Sequence, residues 1–349
     1  MITSSKAALL AAGLALVACP QETTPPVTGS PSQTPTVGGS ATCTPIAGPE
    51  PFWETLAPAG VSRLEVAAAI VGRELFVAGG YVETPERVTR AVEIYDLDRG
   101  SWRPGPDLPI AVHHAMGIAY HDAFVVLGGF TAGSFAGASD RAFALRQDRW
   151  EELPRLARGR AAGTAAVVGD RIIVVGGQDG DGLIEPSEIF DGTRWRDAAA
   201  LPTPRDHLAA ASHEGYLYAA GGRRLSIAST MPRLERYDPA TDRWERLPDM
   251  PTARGGIGAA VVGDLVVVVG GEGSERAAGS DGVFPDAEAF DVSRSRWISL
   301  PDLPTPRHGI GVASDGSFVY VAAGGRRAGF SASTILEGLN PGVATDPCE

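Results

Sequence analysis

Six times along the chain a short, almost uninterrupted apolar run ends in two glycines. Gly72 to Gly80 reads GRELFVAGG, His121 to Gly129 HDAFVVLGG and Val168 to Gly177 VGDRIIVVGG. His213 to Gly222 reads HEGYLYAAGG, Gly263 to Gly271 GDLVVVVGG and Asp315 to Gly325 DGSFVYVAAGG. Each run predicts a polar turn, a short buried strand and a glycine break. The pairs begin at Gly79, Gly128, Gly176, Gly221, Gly270 and Gly324, so they recur every 45 to 54 residues. A fixed period of this size marks a repeat architecture whose units bury their faces only against one another.

The segments around each run repeat too. A polar turn with an arginine comes first, as in Leu201-Pro-Thr-Pro-Arg205 or Leu303-Pro-Thr-Pro-Arg307, then a strand of small residues such as Ala209 to Ser212. After the glycines comes a loop of variable length. A third strand follows with Glu-x-aromatic-Asp: Glu93 to Asp96, Glu188 to Asp191, Glu235 to Asp238 and Glu288 to Asp291. A fourth carries Trp102, Trp150, Trp195, Trp244 or Trp297. Four short strands per period make one antiparallel sheet, the blade of a propeller.

This ordered set, Gly-Gly, Glu-x-aromatic-Asp and tryptophan at fixed offsets, resembles kelch repeats from Phe52 to about Asn340. The resemblance implies an all-β, six-bladed kelch-type β-propeller. Trp53 precedes any Gly-Gly, whereas the last pair has only the degenerate strand Thr334 to Leu339 after it and no tryptophan. Residues 52–56 are therefore expected to close the ring as the outer strand of the last blade, leaving no free circular edge. The second blade departs from the pattern. Aligned on the tryptophans, Arg141 stands at the Glu93 position, Ala144 at the Asp96 position and Val112 at the arginine position, so that blade is either relaxed by drift or specialised.

Outside the repeat, residues 1–18 pair a charged start at Lys6 with an apolar run too short to span a bilayer, as in a secretory signal. Leu16-Val17-Ala18-Cys19 resembles the lipobox of bacterial lipoproteins, which implies lipidation of Cys19 and a lipid bilayer as partner through that anchor alone. Neither Pro20 nor Gln21 is the aspartate that favours inner-membrane retention, so the outer membrane of a cell envelope is the expected location. Residues 19–51, rich in Pro, Thr, Ser and Gly, make a tether; 52–340 form the propeller and 341–349 a C-terminal tail. The other two cysteines, Cys43 and Cys348, flank the closing strand and the last strand. They form either a disulfide stapling the seam, which an exported protein permits, or two free thiols.

A formal charge of −12, with Lys6 the only lysine, argues against nucleic-acid binding and against lysine chemistry. In kelch propellers the strand after the arginine turn lines the channel, and ligands meet the loops at one mouth. On that resemblance the candidate ligand-binding residues are Arg63, His114, Arg160, Arg205, His207, Arg254, Arg307 and His308. The arginines either form a ring of donors for an anionic ligand or brace the blades against neighbouring acids. The loops after Gly-Gly differ between blades, as in Gln178-Asp179, Arg223-Arg224, Glu272 to Glu275 and Arg326-Arg327. The six histidines show no metal-ligand spacing, and His113 and His114, as strand neighbours, are expected on opposite faces. No catalytic residue, metal or cofactor is assigned, and a copper site like that of galactose oxidase is disfavoured because the cysteines lie outside the blades. The expected function is a monomeric, membrane-anchored extracytoplasmic scaffold binding a protein or glycan on its loop face. The alternative is a sugar mutarotase resembling bacterial N-acetylneuraminate epimerase, and whether the chain is an enzyme stays open.

Overall fold

The structure, a computed structural model, describes residues 48–82, 84–274 and 281–343. The signal segment, most of the tether, Cys19, Cys43, Glu275, Cys348 and the end of the tail lie outside the described residues.

Six four-stranded antiparallel sheets follow one another along the chain. The first is Ala67–Val71, Glu74–Ala78, Val92–Asp96 and Ser101–Pro104, and blades 2 to 5 repeat this order. In the sixth, Gly311–Ser314, Val319–Ala322 and Leu336–Asn340 receive Phe52–Thr55 as the outer strand. Trp53 lies opposite Leu339 in that pairing. The six-bladed ring is thus closed by its N-terminal strand, as expected.

The second strand of each blade is buried between neighbouring sheets, so it reads as a continuous apolar run, such as Val266, Val267, Val268 and Val269, all fully buried. The first strand lines the channel, and Ala68, Gly117, Ala165, Ala210, Ala259 and Val312 place one small residue per blade there. Larger residues at these six places would fill the axis.

The tryptophans do more than fill space. Each indole N–H donates to a backbone carbonyl just past the outer strand of the preceding blade: Trp53 to Pro301, Trp102 to Ala57, Trp150 to Pro106, Trp195 to Pro154, Trp244 to Ala199 and Trp297 to Pro248, at 2.7–3.0 Å. Each hydrogen bond ties one outer strand to its neighbour, and the bond from Trp53 crosses toward blade 5 from the closing strand.

The glycine pair is a second blade-to-blade joint. Gly128 has φ +64°, and a Cβ on it would lie 2.1 Å from the carbonyl oxygen of Arg160 in the next blade. Only glycine fits both the left-handed backbone and that approach. The N–H of the next residue, Gly129, donates to the same carbonyl at 2.8 Å. In blade 6 the frame is displaced by one residue from the sequence reading. Ala322 pairs with Gly311, so Ala323 (φ 59°) takes the first glycine's place, and Gly324, not Gly325, donates across the seam to Arg63.

Blade 2 corrects a further alignment. Its last hairpin has two residues, Gln147 and Asp148, between the paired strands, where blade 1 has four, Leu97 to Gly100. Matching tryptophans therefore misplaced the third strand by two. Phe143, opposite Val126, holds the Glu93 position and Arg146 the Asp96 position; Arg141 and Ala144 do not. An apolar pair, Val112 and Phe143, both buried, stands where other blades carry arginine and glutamate.

Candidate functional site at the channel mouth

The five candidate arginines are not at the mouth. Arg63, Arg160, Arg205, Arg254 and Arg307 are fully buried inside their blades. Each pairs with the glutamate of its own blade, not a neighbour's: Glu93, Glu188, Glu235, Glu288 and Glu337, at 2.5–2.9 Å. Arg205 also donates to the carbonyls of Gly221, Thr203 and Ala219. The second glutamate oxygen is satisfied by a threonine two residues before the arginine in blades 4 to 6, Thr203, Thr252 and Thr305. Burial pulls the guanidinium groups of Arg63, Arg160, Arg205 and Arg307 below their ordinary value, with the paired carboxylate opposing. Such groups brace strands and, being fully buried, are out of a ligand's reach.

Two residues beyond each arginine position the chain enters the channel mouth in a left-handed conformation. Glu65, His114, Ala162, His207, Gly256 and Gly309 all have φ between 51° and 65°. Their backbones form a closed circle. The N–H of His114 donates to Glu65, Ala162 to His114, His207 to Ala162, Gly256 to His207, Gly309 to Gly256 and Glu65 to Gly309, at 2.7–3.0 Å. Four of the six are not glycine, and a non-glycine residue in this region costs about 1–3 kcal/mol. Three of those four, Glu65, His114 and His207, carry titratable side chains.

These three converge. Glu65 Oε2 is 3.3 Å from His114 Nε2, and the imidazoles of His114 and His207 meet edge to face at 4.9 Å. His113 and His114 do not face apart as strand neighbours would. The left-handed turn at His114 brings their Nδ1 atoms to 2.5 Å. The cluster is completed by residues next to the arginines and the glycine pairs. Asp206 Oδ2 lies 3.1 Å from His207 Nδ1 and accepts from Gln178 at 2.7 Å. Arg223 Nη2 is 2.8 Å from His207 Nε2, and its Nη1 pairs with Glu272. His308 Nδ1 is 3.4 Å from Glu272 Oε2 and 3.8 Å from Glu65 Oε1.

Burial, with Glu272 and Asp206 adding repulsion against relief from Arg223, raises the Glu65 carboxyl to about 8. Burial lowers His113 to about 4 and holds His114 well below its ordinary value. The same cause lowers His207 and His308. These four histidines are thus neutral, each with one ring nitrogen as donor and one as acceptor. Above them a pocket opening onto about 510 Å³ of space is walled by Tyr81, Phe135, Phe330, Arg223, Glu272 and His308. Phe135 and Leu225, on loops that follow Gly-Gly, are 45% and 53% exposed.

Of the residues singled out from sequence, His114, His207 and His308 meet at the mouth and the arginines do not. Glu65, Asp206, Arg223 and Glu272 complete the site. Glu65 and Asp206 were missed. Their signal lay in the alignment column two residues after the arginine, and its neighbour, where identity changes from blade to blade inside an otherwise regular repeat.

Comparison with known proteins agrees with this architecture. The KLHDC2/KLHL20/DRC7 Kelch-repeats domain family matches residues 65–271. Kelch-like protein terF of Aspergillus terreus is 28% identical over 306 residues, 82% of this chain and 66% of its own length. Kelch-like protein 34 of Homo sapiens is 30% identical over 240 residues, 63% of this chain and 36% of that protein. Beta-scruin of Limulus polyphemus is 24% identical over 247 residues, 66% of this chain and 27% of its own length. The chain thus spans 27–66% of the length of these relatives. With its repeat frame, six closed blades and this match, the chain belongs to the kelch-repeat family.

Proposed function

We propose that the protein is a protein-binding kelch scaffold that seats its partner on the loop face around the channel mouth and acts as a monomer. The observation that carries this reading is the pair of exposed apolar side chains, Phe135 and Leu225, on loops beside the polar pocket. Large apolar groups rimmed by polar ones on a rigid scaffold are what protein partners bury. The relatives named above are kelch-like proteins and a scruin, and give no support to the sugar-epimerase alternative. A glycan is the competing ligand class, favoured by the aromatic walls Tyr81 and Phe330. The acidic net charge disfavours nucleic acid.

The test is capture by the purified chain, compared with a Phe135→Ser, Leu225→Ser variant. A specific protein should be captured by the natural chain and lost by the variant, with melting temperatures within a few degrees. Capture unchanged in the variant, or binding confined to glycans, would contradict the reading.

The reading extends to location. The Leu16-to-Cys19 motif supports a lipid anchor on an extracytoplasmic, outer-membrane face, with residues 20–51 as reach. Cys19→Ser is expected to move the protein from the membrane to the soluble fraction or to leave it unprocessed. Undiminished membrane fractionation with label from lipid would refute the anchor.

A further inference from the structure

We propose that Glu65, His114 and His207 form a three-ligand site for a divalent transition-metal ion of the zinc class, with a further coordination position on the pocket side. One ligand atom from each residue lies within 4.8 Å of the others. Zinc bonds of about 2.0–2.1 Å in tetrahedral geometry hold their ligands roughly 3.3 Å apart, and Glu65 Oε2 is already 3.3 Å from His114 Nε2. Two histidines and one carboxylate are a known donor set for zinc sites that keep an open position.

The tautomers follow from the partners and aim lone pairs inward. His113 Nε2 is 2.7 Å from the Ala132 carbonyl oxygen, so it carries the proton and leaves His113 Nδ1 an acceptor. His114 Nδ1, 2.5 Å from that acceptor, must then donate. This leaves the Nε2 lone pair of His114 facing the Glu65 carboxyl, so that either a proton held by Glu65 or a cation lies between the two. His207 donates from Nδ1 to Asp206 in the same way, leaving its Nε2 as the ligand atom. Asp206 is itself fixed by Gln178 and by the Leu225 N–H. A carboxylate behind a histidine ligand, itself hydrogen-bonded, is the support that metal-binding histidines require.

Two features of the surroundings suit a cation there. His308, nearly fully buried, borders the same pocket, its Nδ1 3.4 Å from Glu272 Oε2 but outside good hydrogen-bond geometry. Among the described residues, Asp206, Glu272 and an ionised Glu65 would face one guanidinium, Arg223, since the arginines of the blades pair with their own glutamates. A metal ion would take the His207 lone pair that Arg223 Nη2 now touches, while Arg223 Nη1 keeps Glu272. The strain of three non-glycine residues in the left-handed region is retained where their side chains meet. A second group, His213, Glu214 and Asp264, also approaches to within 4.8 Å, but two of its three members are exposed to water.

The experiment uses the full chain, stripped with chelator and titrated with Zn²⁺ by calorimetry and with Co²⁺ by absorption. One equivalent should bind, with a cobalt spectrum that lacks thiolate charge transfer, which separates this site from the three cysteines. Glu65→Gln and His114→Phe should each weaken Zn²⁺ by more than the ~10–100-fold expected for an outer-shell change such as Asp206→Asn. His213→Gln should leave binding unchanged. Circular dichroism and the metal-free melting temperature check that the variants fold, and the stoichiometry of the natural chain needs no variant. Failure of the natural chain to bind one equivalent, a thiolate band, or binding that survives both ligand substitutions would overturn the proposal. In that case a proton shared by Glu65 and His114 fills the role.

Discussion

Replacing Arg205 and Arg254 by alanine together will cost the protein much of its stability rather than only a ligand. Each guanidinium is fully buried, pairs with a glutamate at 2.5 Å and donates to at least three backbone carbonyls of its own blade. Removing one member of such a pair leaves a buried carboxylate and several carbonyls unsatisfied, at about 3–5 kcal/mol per site. Against a total that is typically ~5–15 kcal/mol, two such losses in adjacent blades should unfold much of the population at growth temperature. Blade 2 supplies the control. It carries Val112 and Phe143 at the equivalent positions, so a matched Arg205→Val, Glu235→Phe change should cost far less than Arg205→Ala alone. Buried ion pairs can be exchanged for packed apolar residues with little loss. Thermal denaturation of the three variants decides the point. If Arg205→Ala with Arg254→Ala melts within a few degrees of the natural chain, the arginines do not brace the blades.

The repeat frame was legible because its signals recur. A strand ending in glycine, a glutamate and a tryptophan each appear often enough to fix six blades, and the orphan Trp53 with the unpaired last strand revealed the closure. The arginine–glutamate partnership was legible in principle. Both members are lost together in blade 2, but a hairpin shorter by two residues hid this by putting Arg141 in the column that belongs to Phe143. Ala323 likewise concealed the true turn of the last blade, because alanine adopting the left-handed backbone has no sequence mark. The mouth was the least legible part. Its ring positions hold Glu65, His114, Ala162, His207, Gly256 and Gly309, so no residue common to all six blades announces it. A functional side chain is placed once, on one blade, whereas repetition reports only what every blade needs.

Shortening the chain to begin at residue 57 should be far more damaging than beginning it at residue 51. The shorter loss touches only residues before the closing strand. The longer one strips Phe52–Thr55 from Leu336–Asn340, leaving an open edge over the buried Leu336 and Leu339. It also removes the Trp53 indole and its 2.8 Å hydrogen bond to Pro301. Losing a large aromatic side chain from a core costs roughly 3–5 kcal/mol. Trp53 is only partly buried, so it contributes the lower end, and the lost strand pairing adds to it. The chain beginning at 57 should aggregate or melt well below the other.

The closed ring on which the site depends is tested most directly by amide hydrogen exchange on the chain beginning at residue 51. The N–H groups of Glu65 and Gly324 donate across the seam between the last and first blades, to Gly309 and Arg63, while those of Ala162 and His207 donate between blades in mid-ring. A ring closed by its N-terminal strand predicts equal protection at all four, lost together at the global unfolding transition. Fast exchange at Glu65 and Gly324 with slow exchange at Ala162 and His207 would show a ring open at the seam and contradict the account.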